Sequence, residues 1–236
     1  MKYSNVFLLG FTILFSLTLF TATAENPVQS GHKIKGYSFS KIDKTVNLYK
    51  YNLASEAIND TTGTALMTDN YGYVYSGGQW YSQMLNGSPL RIVSSNYKIG
   101  IMTSSYGYAF NQNRWYSQKL NGDPLKIVGY GGQIGILTSS IGYVFNKDRW
   151  YSQVLNGNCL DMVANAETIA VMTNQFAYAF SKGQWYSQSL NGSPQKIVSR
   201  AGTILVFTSS YAYVFDTESN RWHTQVLSGT PIDHAQ

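Results

Sequence analysis

Residues 106–140 read YGYAFNQNRWYSQKLNGDPLKIVGYGGQIGILTSS, and versions of this block recur along most of the chain. A tyrosine standing two residues before another aromatic residue repeats six times, from Tyr37 to Tyr213. Five tryptophans keep the same period, with separations of 35, 35, 35 and 37 residues: Trp80, Trp115, Trp150, Trp185 and Trp222. Self-similarity at a fixed period indicates one array of repeats rather than unrelated domains.

The first half of the block predicts two strands. Large and small side chains alternate over 106–110, which is the period of a strand. Turn-forming residues follow at 111–113, and a second strand is expected over 114–120. Asn121-Gly122 comes next, a dipeptide typical of tight hairpins, so we expect the second and third strands to form a hairpin there.

The second half predicts two more strands. Pro124 opens the third strand, over 125–128, because proline is tolerated at the first strand position. Gly131-Gly132 ends this strand, and the fourth spans 134–138. Four short antiparallel strands per repeat are typical of propeller blades. The sequence therefore predicts an all-β fold, a β-propeller of six small, mostly four-stranded blades of about 35 residues each.

Six repeat units make up the predicted propeller domain, residues 36–236. The first is degenerate, with Leu48 at the tryptophan position, and the last lacks a fourth strand. We expect the segment Val28 to Lys35 to complete the last blade, unless that blade keeps three strands. The units begin at Gly36, Gly72, Gly107, Gly142, Ala177 and Ala212.

The first 24 residues predict a signal peptide. Lys2 precedes an apolar run from Val6 to Phe20, and the small residues Ala22-Thr23-Ala24 suit cleavage after Ala24. An uncleaved anchor is the alternative. Cleavage would leave residues 25–35 as an N-terminal arm and predicts a secreted or periplasmic protein, without stable membrane insertion.

Charge and motif content exclude several functions. The net charge is +5, and the basic residues are scattered without a run, which argues against a nucleic-acid partner. The metalloprotease, serine-hydrolase, P-loop and paired-cysteine motifs are all absent from the sequence. Cys159, the one cysteine, stands where other units have proline, so no internal disulfide can form. We expect no catalysis, cofactor or metal.

The recurring Trp-Tyr-Ser-Gln motif is the candidate binding site. An exposed aromatic ring beside amide or guanidinium donors suits a sugar, which offers an apolar C–H face and many hydroxyls. Arg114, Arg149 and Arg221 precede the tryptophan in three units. The other candidate residues are Trp80, Tyr81, Gln83, Trp115, Tyr116, Gln118, Trp150, Tyr151, Gln153, Trp185, Tyr186, Gln188 and Trp222.

A packing role explains the same motif. Each blade needs a similar wedge against its neighbour, and the tryptophan can supply it. The glutamine can bond the backbone of the adjacent blade, and a threonine column that includes Thr138 can link blades. Small residues on the face opposite the tyrosines, such as Gly107 and Ala109, suit close sheet contact near a central axis.

The last repeat resembles the end of a kelch motif. Tyr213-Val214-Phe215-Asp216 is followed by Asn220-Arg221-Trp222, a strand, a turn and a tryptophan-bearing strand. The short tryptophan-rich repeats are also similar to those of tectonin-type propeller lectins. Both resemblances cover residues 36–236 at the level of architecture and imply a propeller. The tectonin resemblance also implies carbohydrate binding.

Two functions follow as hypotheses. A secreted, non-enzymatic lectin-like protein would bind a glycan or glycoconjugate surface through several weak, equivalent sites that gain strength by avidity. Alternatively, a protein-interaction scaffold would use one face of the propeller. The scaffold hypothesis predicts that exposed side chains differ between units, and the turns before the tryptophans do differ.

Overall fold

The computed structural model describes residues 47–50, with backbone only, and 64–200, 202–229 and 231–232. Twenty strands form five sheets, and the described part contains no helix. The first sheet comprises β1 (Asn47–Lys50), β2 (Thr64–Met67), β3 (Tyr71–Ser76) and β4 (Gln79–Met84). The second comprises β5 (Pro89–Ser95), β6 (Lys98–Thr103), β7 (Tyr106–Asn111) and β8 (Arg114–Lys119).

The remaining three sheets repeat this order. The third comprises β9 (Pro124–Tyr130), β10 (Gln133–Thr138), β11 (Ile141–Asn146) and β12 (Arg149–Val154). The fourth comprises β13 (Cys159–Ala164), β14 (Thr168–Thr173), β15 (Phe176–Ser181) and β16 (Gln184–Ser189). The fifth comprises β17 (Pro194–Arg200), β18 (Thr203–Thr208), β19 (Tyr211–Asp216) and β20 (Arg221–Val226).

Each sheet is an antiparallel meander in which neighbours in sequence are neighbours in space. The first strands of consecutive sheets, β5, β9, β13 and β17, contact one another and form the inner side of the stack. The fourth strands, which carry the tryptophans, are the opposite edges. Four-stranded sheets stacked in sequence order in this way have the arrangement of propeller blades.

The hydrophobic core lies between the sheets. Four apolar clusters occur in the described part, and each joins two consecutive sheets. Gly107 shows why small residues face the neighbouring sheet: a Cβ there would stand 2.5 Å from Ile136 Cδ1 and 3.3 Å from the Trp150 ring. The small residues thus allow close sheet contact. They lie on the third strand of each sheet, however, whereas the prediction placed them near the central axis.

The observed sheets begin at a different position in the repeat from the predicted units. Each sheet starts at the strand that was predicted to be the third of its unit. The Asn121-Gly122 hairpin prediction is wrong, because β8 and β9 belong to different sheets and do not pair. Tight hairpins join the third strand to the fourth, as at Gln112-Asn113, and the first strand to the second, as at Gly131-Gly132; all four of these residues have positive φ. The last sheet is complete with four strands, and Leu48 lies in β1, a first strand.

Each sheet has two ends that differ in their chain connections. At the connection end, segments such as 120–123 and 155–158 lead from one sheet to the next. At the turn end, hairpins join first to second and third to fourth strands. The predicted sixth blade, the arm and its closing segment, and the signal peptide lie outside the described residues.

A repeated hydrogen-bond pair fixes the connection end. The Asn121 amide donates to the Tyr143 hydroxyl at 2.9 Å, and Thr138 Oγ1 donates to the Asn121 carbonyl at 2.7 Å. Tyr108, Tyr178 and Tyr213 accept equivalent bonds in their sheets. The periodic tyrosines and threonines therefore hold the connections. Thr138 bonds the segment that connects two sheets and not a strand of the neighbouring sheet.

Candidate functional site

The repeated tryptophans pack between sheets. Trp150 lies in β12, pairs across the sheet with Phe145 at a ring distance of 5.3 Å, and rests against Gly107 of the preceding sheet. Trp115 and Trp185 contact Gly72 and Gly142 in the same way. These rings are half-buried, and their indole nitrogens are fully buried, without a hydrogen-bond partner, as in Trp222. The tryptophan acts as the wedge that the packing interpretation predicts.

The tyrosine of the motif packs towards the following sheet. Tyr116 projects from the opposite face of its strand and meets Phe145, with ring centroids 5.0 Å apart. Each interface therefore contains a tyrosine, a phenylalanine and a tryptophan in contact. Tyr81, Tyr151 and Tyr186 make the equivalent contacts with Phe110, Phe180 and Phe215. The aromatic motif is thus shared between neighbouring sheets.

In four of the five repeats, the residue before the tryptophan contacts the tyrosine of its own strand. The Arg149 guanidinium lies 4.4 Å from the Tyr151 ring centroid, and its Nε donates to the Tyr151 hydroxyl at 2.5 Å. Arg114 lies 5.3 Å from the Tyr116 ring. Arg221 is exposed at the start of β20. Trp80 differs from its counterparts because 56% of its surface is exposed.

The motif glutamines bond their own strand. Gln118 Nε2 donates to the Lys119 carbonyl at 2.8 Å. The prediction that the glutamine bonds the adjacent blade is therefore wrong. The fourth strand is an edge, so its outward carbonyls lack a strand partner, and the side chain supplies one. Gln83, Gln153, Gln188 and Gln225 make the same bond.

A row of exposed leucines on the inner strands was not predicted from the sequence. Leu90, Leu125 and Leu160 are 46%, 52% and 49% exposed, and each follows the first residue of β5, β9 or β13. The strand pairing is irregular at each of these positions, as expected for a β-bulge. Gln195 occupies the fourth position of this leucine row. The 35-residue spacing of these leucines is the sequence pattern that could have identified them.

Charged residues follow the leucines in sequence. The Lys126 ammonium and the Asp161 carboxylate form a salt bridge of 2.7 Å between the third and fourth sheets. Because these residues immediately follow Leu125 and Leu160, the bridge places the two leucine positions side by side. Arg91 and Lys196 occupy the same column in the second and fifth sheets. The column therefore has three basic residues and one acidic residue.

A cleft of about 320 Å³ opens at the turn end, between the fourth and fifth sheets. We call it the acidic cleft. It contains three carboxylates, and its lining residues are Asn165, Ala166, Glu167, Gly202, Asp216, Thr217 and Glu218. The lining residues come from three separate segments of the chain that meet only where the fourth and fifth sheets pack, so the site was not predicted from the sequence.

Hydrogen bonds organise the acidic cleft. Asp216 accepts bonds from the Glu218 and Ser219 amides and from the Ser219 hydroxyl. The Ser219 hydroxyl bond, followed by the Glu218 amide, lowers the pKa of the Asp216 carboxyl below its usual range, so the group remains anionic. On the opposite wall, Asn165 Nδ2 donates to the Arg200 carbonyl at 3.1 Å.

The described residues contain neither an activated thiol nor a group of side chains that could bind a metal ion. No group of three or more His, Cys, Asp or Glu side chains there could hold a metal ion. Burial raises the pKa of the Cys159 thiol, which disfavours the nucleophilic thiolate. The same part of the chain has no helix long and apolar enough to cross a membrane.

Comparisons with known proteins show similarity at the level of solved structures only. No protein-family model matches the chain, and no curated protein matches it. Apo AztD from Citrobacter koseri is 12% identical, with a TM-score of 0.43, and the match covers 72% of this chain and 59% of that one. BBS1N, in a complex with ARL6DN, is 15% identical, with a TM-score of 0.39 and coverages of 70% and 64%.

Hsv2 of Kluyveromyces lactis gives a similar result, with 9% identity, a TM-score of 0.39 and coverages of 71% and 61%. The chain therefore spans less than two thirds of each of these proteins. These similar structures are β-propeller proteins. The comparisons do not confirm the kelch or tectonin resemblance.

Proposed function

We propose that this protein is a non-enzymatic scaffold that binds a protein partner through its leucine row. The observation that carries this proposal is the exposure of three leucines at equivalent positions on neighbouring inner strands. Clustered apolar surface in water is unfavourable, and such surface commonly marks a protein-binding site. By contrast, the repeated aromatic motif is largely occupied by packing between sheets.

The chemistry around the leucine row favours an acidic partner segment. Arg91, Lys126 and Lys196 outnumber Asp161 in the adjacent column, so the local charge is positive. A partner with apolar side chains flanked by carboxylates would bury the leucines and match this charge. The carboxylates would increase the association rate, and burial of the leucines would supply most of the affinity.

Selection from a random peptide library displayed on phage tests this proposal. The protein is immobilised, and enriched peptides are measured against it by fluorescence anisotropy. We expect peptides that combine apolar and acidic residues, with binding lost in the triple variant Leu90→Ser, Leu125→Ser, Leu160→Ser. The matched control is Met84→Ser, Val154→Ser, Val226→Ser, which removes exposed apolar side chains from the outer strands.

The control variant should bind the selected peptides as the native protein does. Equal loss in both triple variants, or enrichment of peptides without acidic residues, would contradict the proposal. Failure to enrich any peptide would also contradict it. Circular dichroism of each variant establishes that the sheets remain folded.

Glycan binding is the second candidate function, and exposed tyrosines at the turn end favour it. Tyr97 and Tyr130 are 57% and 56% exposed on neighbouring inner hairpins. A bond from the Gly132 amide to Ser95 Oγ, 2.8 Å long, holds these hairpins together. A glycan array probed with the native protein and with Tyr97→Ser, Tyr130→Ser tests this function. Binding that the double variant loses would support it, and no binding would contradict it.

We also propose that the full ring has six blades and that the protein is exported. The complete antiparallel meanders of the five described sheets support the ring, and the apolar run from Val6 to Phe20 supports export. Small-angle scattering of the purified protein would test the ring, since an open stack is longer than a closed one. Expression in a bacterium with N-terminal sequencing would test cleavage after Ala24.

A further inference from the structure

We infer that Gln195 fixes the direction in which the leucine row binds its partner. The partner's apolar side chains lie over the three leucines, with a carboxylate beside Arg91, and a polar side chain lies over Gln195. Because it concerns the same surface, this inference rests on the proposed function. It adds the order of the partner's side chains along the row.

The four inner strands β5, β9, β13 and β17 form one continuous surface, because each strand contacts the next. A Cβ on Gly129 of β9 would stand 2.5 Å from the Ser94 carbonyl oxygen of β5. The salt bridge described above joins β9 to β13. Ser199 Oγ of β17 donates to the Ala164 carbonyl of β13 at 2.9 Å. A segment that crosses the row therefore meets its four positions in order.

Gln195 stands in the same backbone setting as the three leucines. Each of the four residues follows the first residue of its strand, and the pairing with the second strand is irregular there in all four sheets. A bulge re-aims a side chain, and a preceding proline, present at three of the four positions, restricts the backbone before it. The row is therefore preorganised for binding, and only the side chain changes at its fourth position.

The carboxamide of Gln195 disfavours an apolar partner side chain. Covering an amide without giving it a hydrogen bond is costly, and the Gln195 side chain has no hydrogen-bond partner within the described residues. A partner side chain that bonds this amide satisfies it, whereas a leucine or valine would leave it unpaired. The fifth-sheet end of the row therefore selects a polar side chain, and a carboxylate is acceptable there because Lys196 is next in sequence.

The second-sheet end of the row has different chemistry. Arg91, which follows Leu90, is exposed and forms no salt bridge with any residue that the structure describes. In the middle of the row, by contrast, Lys126 and Asp161 neutralise each other. Leu90 is thus the position where an exposed leucine stands beside an unneutralised cation, and it suits a partner segment in which an acidic residue adjoins an apolar one.

Double-mutant cycles between protein and peptide test this inference. The peptide is one that is enriched on the immobilised native protein, and its affinity is measured by fluorescence anisotropy. Single peptide substitutions, acidic to amide or polar to leucine, are measured against the native protein, Arg91→Gln and Gln195→Leu. We expect Arg91→Gln to couple to an acidic residue at one end of the peptide. Gln195→Leu should couple to a polar residue at the opposite end.

The two variants should differ in sign and size. A peptide with leucine in place of its polar end residue should bind Gln195→Leu about tenfold more tightly than it binds the native protein, because two apolar side chains are then buried together. Arg91→Gln should weaken binding of the original peptide about threefold at low salt, and 1 M salt should remove the difference. The matched control is Gln175→Leu, at another exposed glutamine of the connection end, and it should change neither affinity.

The possible failures can be told apart. Coupling of Arg91 and Gln195 to the same end of the peptide would overturn the inference, and so would equal effects of Gln195→Leu and Gln175→Leu. Either result would leave the scaffold proposal standing, because a peptide has bound. If no peptide is enriched on the native protein, the scaffold proposal fails and the inference fails with it.

Discussion

The connection end and the turn end of the sheets use different hydrogen bonds to link neighbouring sheets. At the connection end, every described interface from the first sheet to the fifth uses the same bond between a tyrosine hydroxyl and an asparagine amide. At the turn end, consecutive interfaces are linked by Lys98, by Gln133 and by Asn165. The connection end repeats its links, and the turn end varies them.

This difference shows which positions are free to acquire a function. A connection must enter each new sheet with the same geometry, so the tyrosine and threonine that bond it cannot change without loss of a partly buried hydrogen bond. A two-residue hairpin closes itself and leaves its neighbours open to substitution. Lys98, Gln133 and Thr168 occupy equivalent positions of the repeat at this end, where the acidic cleft also lies.

Removal of a repeated tryptophan should have the largest effect on stability. Trp150→Ala should lower the free energy of unfolding by about 3 kcal/mol, because it leaves a cavity between the second and third sheets. Trp80→Ala should cost less than half as much, since that ring is mostly exposed. Equilibrium urea denaturation measures both. Equal losses would mean that the wedge role does not depend on burial.

Removing a single hydroxyl tests the repeated link itself. Tyr143→Phe leaves the Asn121 amide without its acceptor, and we expect a loss of about 1–2 kcal/mol in unfolding free energy. Tyr97→Phe, at an exposed tyrosine of the turn end, is the matched control and should change stability by less than about 0.5 kcal/mol. A neutral Tyr143→Phe would show that the link contributes nothing.

The salt bridge beside the leucine row should contribute less. Lys126→Met and Asp161→Asn, combined in a double-mutant cycle, should give a coupling of about 0.2–1 kcal/mol, because both side chains are two-fifths exposed. The coupling should fall in 1 M salt, which screens exposed charges. A coupling that persists unchanged in salt would contradict this description of the bridge.

The smallest effect is expected from the pH dependence of Lys98. Its pKa is lowered in the folded protein, mainly by burial, so the unfolded chain binds more protons between that value and 10.5. Stability should therefore rise with pH through this window for the native protein relative to Lys98→Met. Urea denaturation of both proteins between pH 8 and 10.5 measures the difference. A difference that shrinks as pH rises would contradict the predicted sign.

Sequence reasoning identified the repeated elements but not their grouping. Periodic tryptophans, tyrosines and turn residues correctly indicated four strands per repeat. The grouping failed at Asn121-Gly122, because a dipeptide that suits a tight turn also suits a connection between sheets. Gly122 has a φ of 82°, and a Cβ there would stand 2.8 Å from Ser139 Oγ. An Asn-Gly dipeptide looks the same in a tight hairpin and in a connection between sheets. The two differ only in whether the strands before and after it pair with each other.

The two candidate binding sites also differ in whether the sequence could predict them. The motif residues were found because they repeat, but their repetition reflects packing: Tyr116 and Trp150 meet at Phe145 from different sheets. A ligand role for them stays a prediction. The acidic cleft could not be found from the sequence, because Glu167, Asp216 and Glu218 come together only when two sheets pack.

The amino-acid sequence alone specifies the repeat, the residue types of the strands and the positions that require small residues or positive φ. These are local properties, set by side-chain alternation and backbone sterics. Tertiary structure decided which strands share a sheet, which aromatic rings are covered and where the carboxylates gather. Those outcomes depend on contacts between residues about 35 positions apart, and a local pattern does not specify which neighbour each strand meets.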